Sequence, residues 1–204
     1  MKARENPFAS HRIERLAYRF PVDDGWNPLL ARLEAQNWRG AIVGPHGTGK
    51  TTLIEQLAPQ LTARGFQPRL LGLRAEDTAT EKRAILNTVF EATDFLLLDG
   101  AEQLSVIQWL SFQAMMRNVA GCVLTVHRAG RLPTLLQTTP SPRLLAELIE
   151  RLSGATLPEN EVAALFRKHR SNLRECLRSL YDRWADDDGW RLAKPRVRPS
   201  LVSV

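Results

Sequence analysis

Apolar positions along the chain follow two patterns, and the change falls near Pro140. Before it, short apolar runs of strand length occupy residues 41–43, 69–73, 95–98, 122–126 and 135–138. Helical spacing predicts helices over residues 27–36, 50–64, 80–91 and 103–118. The second carries Leu53, Leu57 and Leu61 on one face and meets Gly65 as its stop. Pro59 is expected to kink that helix or end it early, because proline removes a backbone donor and crowds the preceding turn. Strands alternating with helices of this length imply a parallel sheet with right-handed crossovers and helices on both faces, a three-layer α/β fold.

After Pro140 the pattern is all helix. Ser141-Pro142 pairs an N-cap with a proline at the first helical position, ahead of an apolar face of Leu144, Leu145, Leu148, Ile149 and Leu152. Pro158 opens a second helix that faces Val162, Leu165 and Phe166 inward. Ser171 is expected to cap a third, carrying Leu173, Leu177, Leu180, Tyr181 and Trp184. Residues 1–25, broken by Pro7, Pro21 and Gly25, read as an irregular arm. The expected organisation is thus an arm (1–25), an α/β domain (26–139), a small helical lid (140–186) and a loose tail (187–204).

Composition narrows the class. The 204 residues are 44% apolar and 25% charged, which suits a globular chain able to bury a core without disulfides. No apolar run approaches the roughly 18 residues of a membrane span. The first ten residues have no signal-peptide core, so the expected setting is cytoplasmic, with no membrane partner. Cys122 and Cys176 lie far apart and the four histidines are scattered, so no metal spacing is present. The net charge of +6 comes mostly from arginine, and its densest stretch is residues 167–183, with six basic and two acidic side chains. There Arg170, Arg174 and Arg178 recur at i, i+4 and i+8, a spacing that would line one helix face toward phosphates. Trp26, Trp38 and Trp109 read as core rather than base-stacking residues.

The chemistry sits in the turn after the first strand. Gly44-Pro45-His46-Gly47-Thr48-Gly49-Lys50-Thr51 matches G-x-x-x-x-G-K-[ST], with a strand before it and a helix after it. Backbone N–H groups of such a turn, together with the helix N-terminus, form a nest for phosphate oxygens. Gly47 and Gly49 allow close approach, Lys50 reaches the terminal phosphates, and the Thr51 hydroxyl ligates Mg²⁺. With Thr52, these residues are the candidate ATP-binding set. The run 95–98 ends at Asp99, a carboxylate placed to complete the Mg²⁺ shell in the manner of a Walker B segment. Thr51 and Asp99 are therefore the candidate metal residues.

These motifs resemble a P-loop ATPase of the additional-strand class, most closely a small AAA+ protein, over about residues 26–186. The resemblance implies that Thr125 and His127 stand where a polar residue senses the γ-phosphate. It also implies that Arg174, in Ser171-Asn172-Leu173-Arg174-Glu175, is the sensor arginine of the third lid helix. Such proteins often place glutamate directly after the Walker B aspartate, and here Gly100 occupies that position. Glu102 is the nearest carboxylate, so the candidate catalytic set is Lys50, Asp99, Glu102, His127 and Arg174. The family's trans-acting arginine finger would have to be Arg128 or Arg131, which makes a homo-oligomer a further expectation. No Asn-Lys dipeptide exists for a GTPase base-reading segment, and the L-S-G-G-Q of ABC ATPases is absent.

The leading expectation is a Mg²⁺-dependent ATPase that works as a nucleotide switch, with DNA or a protein as partner by resemblance to transposition and replication helpers. A nucleotide-gated binding module with little hydrolysis, and a kinase acting on a small molecule or a nucleic-acid end, are the alternatives.

Overall fold

A computed structural model describes residues 6–20 and 24–186, in two compact units. One is residues 17–139; the other combines residues 6–16 with 140–186.

The 17–139 unit is built on five strands: β1 (Arg39–Val43), β2 (Gln67–Gly72), β3 (Asp94–Asp99), β4 (Gly121–Val126) and β5 (Thr134–Gln137). All pair in parallel, in the order β2-β3-β4-β1-β5. β4 thus lies between β1 and β3, as the additional-strand class requires. Between its two aspartates β3 is apolar and buried, and β4 is buried along its length, because helices cover both faces of the sheet. Period-two alternation sends Phe95 and Leu97 to one face and Leu96 and Leu98 to the other. The first face packs against α2 (Trp26–Ala35) and α3 (Lys50–Thr62) through Leu29, Leu33, Leu53 and Leu57. The second packs against α5 (Val106–Met116) through Phe112 and Met116, with α4 (Ala79–Leu86) contributing Ile85 and Leu86. Each fully buried Leu or Phe side chain contributes about 1.5–3 kcal/mol of transfer free energy. Trp26, Trp38 and Trp109 pack, partly buried, against these two clusters, in the core role expected of them.

Helix ends depart from the expected ones for local reasons. α3 runs through Pro59 to Thr62, because a proline this near the end removes a single ladder bond and Ala63 N still reaches Pro59 O. α4 ends five residues, a little over one turn, before the apolar pattern suggested, closing at Asn87 after a Thr78/Glu81 capping box. The helix expected from residue 103 is split into a 3₁₀ turn, Ala101–Gln103, and α5, because Ser105 and Gln108 form a capping box.

The second unit packs α6 (Pro142–Ser153), α7 (Glu159–Lys168) and α8 (Leu173–Asp186) around Leu145, Ile149, Val162, Leu165, Leu173, Leu177 and Leu180. Ser141 caps α6 by accepting from Leu144 N, and Gly154 ends it. Ser171 does not cap α8. Arg170 and Ser171 both lie in the left-handed region, and Asn172 Oδ1 accepts from Glu175 N instead. The start of the expected arm is ordered here: a short helix, α1 (Ser10–Ile13), follows Phe8, which is buried in this core edge-on to Trp184. Asn6 fixes the segment by donating to Tyr181 O at 2.9 Å. The expected tail lies outside the described residues.

Candidate nucleotide site

Sheet register assembles the site at the carboxyl edge of the strands. Val43 pairs with Val126, Leu98 with Leu124, and Val43 with Gln137. The residues that follow β1, β3, β4 and β5 therefore meet, although they are separated by up to 95 positions in the chain.

The loop after β1 is braced from below. Gly44 N donates to Val126 O, and Thr138 N donates to Val43 O. Thr138 approaches so closely that a Cβ on Gly44 would sit 2.0 Å from its hydroxyl. Thr48 Oγ1 shares a hydrogen bond with Thr138 Oγ1 at 2.6 Å and also donates to Pro45 O. Lys50 Nζ donates to Gly44 O and Pro45 O, 2.7 Å each, which holds the ammonium inside the loop's curve. His46 is exposed at the loop's crest, and Thr51 and Thr52 lie half-buried in the first turn of α3. Tyr18 borders the loop as well: its ring lies 3.3 Å from where a Gly49 Cβ would be. Burial, reinforced by Asp24, pushes the Tyr18 phenol up to about 12.

Asp99 is held by both oxygens. Thr51 Oγ1 donates to Oδ2 at 2.8 Å and Thr125 Oγ1 donates to Oδ1 at 2.5 Å. Thr125 in turn accepts from Gly100 N. A hydroxyl and a carboxylate side by side are hard oxygen donors of the kind Mg²⁺ takes, with phosphate and water completing its octahedron. A cleft of about 270 Å³ opens beside them, bounded by Gly72, Leu73 and Arg74. Among the described residues no group of three or more His, Cys, Asp or Glu is set to hold a metal. A two-ligand Mg²⁺ site fits that arrangement.

The remaining polar residues form a second group. His127 Nε2 lies 3.0 Å from Glu102 Oε1, and its ring meets the His46 ring at 3.8 Å between centroids. Burial holds the His127 imidazole below its usual value; Glu102 opposes that effect, while Lys50 and His46 add to it. Arg131 stacks on Trp109 with 4.7 Å from guanidinium carbon to ring centre, and donates to Leu104 O. Burial pushes its guanidinium down, against the pull of Glu102. Pinned within its own unit in this way, Arg131 does not fit the role of a projecting finger. Arg128 is exposed beyond the end of β4.

The structure thus brings together Lys50, Thr51 and Asp99, and separately Glu102 and His127. Arg174 lies exposed in the first turn of α8, in the helical unit. The expected arginine stripe is shorter than its spacing implied, because Arg170 sits in the left-handed turn before α8, leaving Arg174 and Arg178 on the helix. Thr138 and Tyr18 were not legible as site residues, since each reaches the loop through strand register or packing.

A parallel sheet in this order, with a Gly-Lys-Thr loop after β1 and an aspartate after β3, defines a P-loop ATPase. The family model of the ATPases associated with various cellular activities (AAA) matches residues 41–160, more than half of the chain, and the chain belongs to that ATP-binding family. Its fold resembles RuvB of Thermotoga maritima, with a TM-score of 0.50 and 19% identity over 76% of this chain and 60% of that one. It also resembles the replication initiator DnaA, in a structure bound to AMPPCP and single-stranded DNA, with a TM-score of 0.56 and 16% identity over 86% of this chain and 64% of that one. The chain therefore spans less than two thirds of either neighbour. No curated protein matches it significantly. Among the described residues, no helix is long and apolar enough to cross a membrane.

Proposed function

We propose that the chain binds ATP with Mg²⁺ on the loop 44–51, hydrolyses it, and acts as a nucleotide switch in work on DNA. The carrying observation is the Thr51–Asp99 hydrogen bond, backed by Thr125 and set beside Lys50 in a braced loop. Lys50 and the loop amides would neutralise charge on the terminal phosphates, and Thr51 and Asp99 would hold Mg²⁺ directly or through water. Mg²⁺, when bound, supplies charge neutralisation across the β- and γ-phosphates. Residues 140–186 are proposed as the lid, with Arg174 as its nucleotide-sensing arginine.

DNA as partner is supported by the single-stranded DNA in the DnaA neighbour and by the exposed Arg170, Arg174 and Arg178. One experiment tests both halves: phosphate release and duplex or single-stranded DNA binding by purified protein, each with and without Mg-ATP. Lys50→Ala is the control. Hydrolysis that depends on Lys50, and DNA affinity that changes with nucleotide, are expected. Equal phosphate release by both proteins rejects the ATPase reading.

Gly100 favours a second reading, a nucleotide-gated binding module that turns over little ATP. It predicts tight Lys50-dependent ATP binding without phosphate release, and strong partner-free turnover excludes it.

A further inference from the structure

α5 is apolar on its outer face as well as its inner one. The inner face carries Phe112 and Met116 into the core of the 17–139 unit. The outer face, at positions i, i+1, i+4, i+5 and i+8, carries Val106, Ile107, Leu110, Ser111 and Ala114, all exposed. Val106 and Ile107 are each 77% exposed and Leu110 59%. Three of the five large apolar side chains exposed among the described residues therefore share one stripe of one helix. A helix that is apolar all round is ordinarily buried all round. The sheet covers one side of α5, and a contiguous apolar stripe on the other marks a surface that another element covers.

Charge narrows what that element is. No Asp, Glu, Lys or Arg lies between Glu102 and Arg117. Every other α-helix of the described residues bears at least one charged side chain. A face without cations offers nothing to nucleic-acid phosphates or to an anionic membrane surface. A face without charge of either sign also has nothing to repel its own image. That suits a two-fold contact, which brings one patch against the identical patch. Size points the same way. The stripe is bulky in its first half, at Val106 and Ile107, and small in its second, at Ser111 and Ala114, with Leu110 between them. Turned antiparallel onto a copy of itself about Leu110, each bulky pair meets the small pair of the other helix, and the helix dipoles run favourably opposed. A parallel pairing would stack bulky on bulky and leave a gap at Ala114.

We propose that α5 is a self-association surface, on which a second copy of this chain pairs antiparallel through its own α5, with the two Leu110 side chains at the two-fold axis. α5 packs on the sheet face opposite α3, so the pairing needs neither nucleotide nor the residues of its loop. The stripe offers a few hundred Å², less than the roughly 800 Å² that each partner of a standard stable complex buries, so the dimer is weak and reversible.

The test is sedimentation of the whole chain from about 1 µM to about 1 mM, with and without Mg-ATP. A monomer–dimer equilibrium that does not require nucleotide is expected. Leu110→Glu is expected to weaken the dimer about tenfold or more. It is expected to keep the melting temperature of the dilute parent, because this side chain is exposed in the monomer. Leu110→Cys places a thiol at the axis, and mild oxidation is expected to link it to the same residue of the second copy. Val106→Cys, far from its own counterpart, is expected to stay unlinked. Cys122 and Cys176 are buried and do not compete. A parent that stays monomeric throughout overturns the proposal and assigns the stripe to a different chain. A dimer that Leu110→Glu leaves intact overturns it as well. So does one that forms only with ATP and vanishes in Lys50→Ala, because that contact belongs to the nucleotide site. Val106→Cys linking as fast as Leu110→Cys overturns the antiparallel pairing. If Leu110→Glu loses its melting transition, the two cysteine variants decide the matter. A parent that dimerises in this way but binds no ATP overturns the nucleotide reading and leaves the pairing standing.

Discussion

Lys50 and Gly100 show how differently single residues reveal themselves. Lys50 sits inside a fixed spacing of glycines, so both its identity and its site are readable from the sequence. Lys50→Ala is expected to abolish measurable ATP binding by titration while the protein still unfolds in one cooperative transition, since the ammonium's bonds to Gly44 O and Pro45 O brace the loop rather than the core. Gly100 is visible in the sequence only as a departure from the family pattern. Its reason lies in Leu73, which no local pattern connects to it. Gly100→Ala forces a side chain onto a left-handed backbone and into a carbonyl, so a loss of about 1–3 kcal/mol is expected in denaturant unfolding. Gly100→Glu is expected to do worse, and to restore no hydrolysis. Thr125 and Glu102 were each readable as polar residues near Asp99. That Thr125 would bond Asp99 and His127 would lie against Glu102 was not, because the juxtaposition depends on the register of β3 against β4.

At the scale of elements, apolar runs located β1, β3 and β4 because burial on both faces leaves little room for polar residues, while β2 and β5, at the sheet edges, are more exposed and carry shorter runs. Their ends were less legible. β3 begins at Asp94, a buried carboxylate that a hydrophobic pattern leaves out. Asp94 accepts from Glu91 N and Arg69 Nε, 2.8 Å each. Burial raises its carboxyl, but those two donors outweigh it and hold the group below the ordinary carboxylate value. A depressed carboxyl stabilises the fold fully above its unfolded value, and that contribution is lost as pH falls through the folded value. Asp94→Asn is therefore expected to lower stability at neutral pH and to flatten its decline on the acid side, as read from unfolding curves between about pH 2 and 7. Of the two expected serine caps, Ser141 holds its helix start and Ser171 does not. At Ser105 the same chemistry moved the helix start three residues, from 103 to Val106, and at Asn172 it moved the cap one residue, from the expected Ser171.

For the whole molecule, the density of arginine in residues 167–183 was legible, but its arrangement was not: a left-handed turn takes Arg170 off the helix. If these side chains meet DNA phosphates, Arg178→Ala is expected to weaken binding alike for unrelated sequences and to lower the slope of log K against log salt by about one. An unchanged slope removes Arg178 from the contact. Phe8 was unreadable as core, because a lone aromatic in a Pro-flanked arm has no periodicity to declare it. Phe8→Ala is expected to cost the helical unit about 3–5 kcal/mol, seen as faster hydrogen exchange in α6, α7 and α8. The bond from Asn6 to Tyr181 spans 175 positions, so the sequence treats the entire ATP-binding unit as an insertion within the helical one. During synthesis the insertion can fold first, before α8 emerges to complete the core around Phe8. A ribosome paused before α8 thus holds a folded sheet unit and an apolar segment still open to chaperones, and emergence of α8 is itself the event that closes the second core.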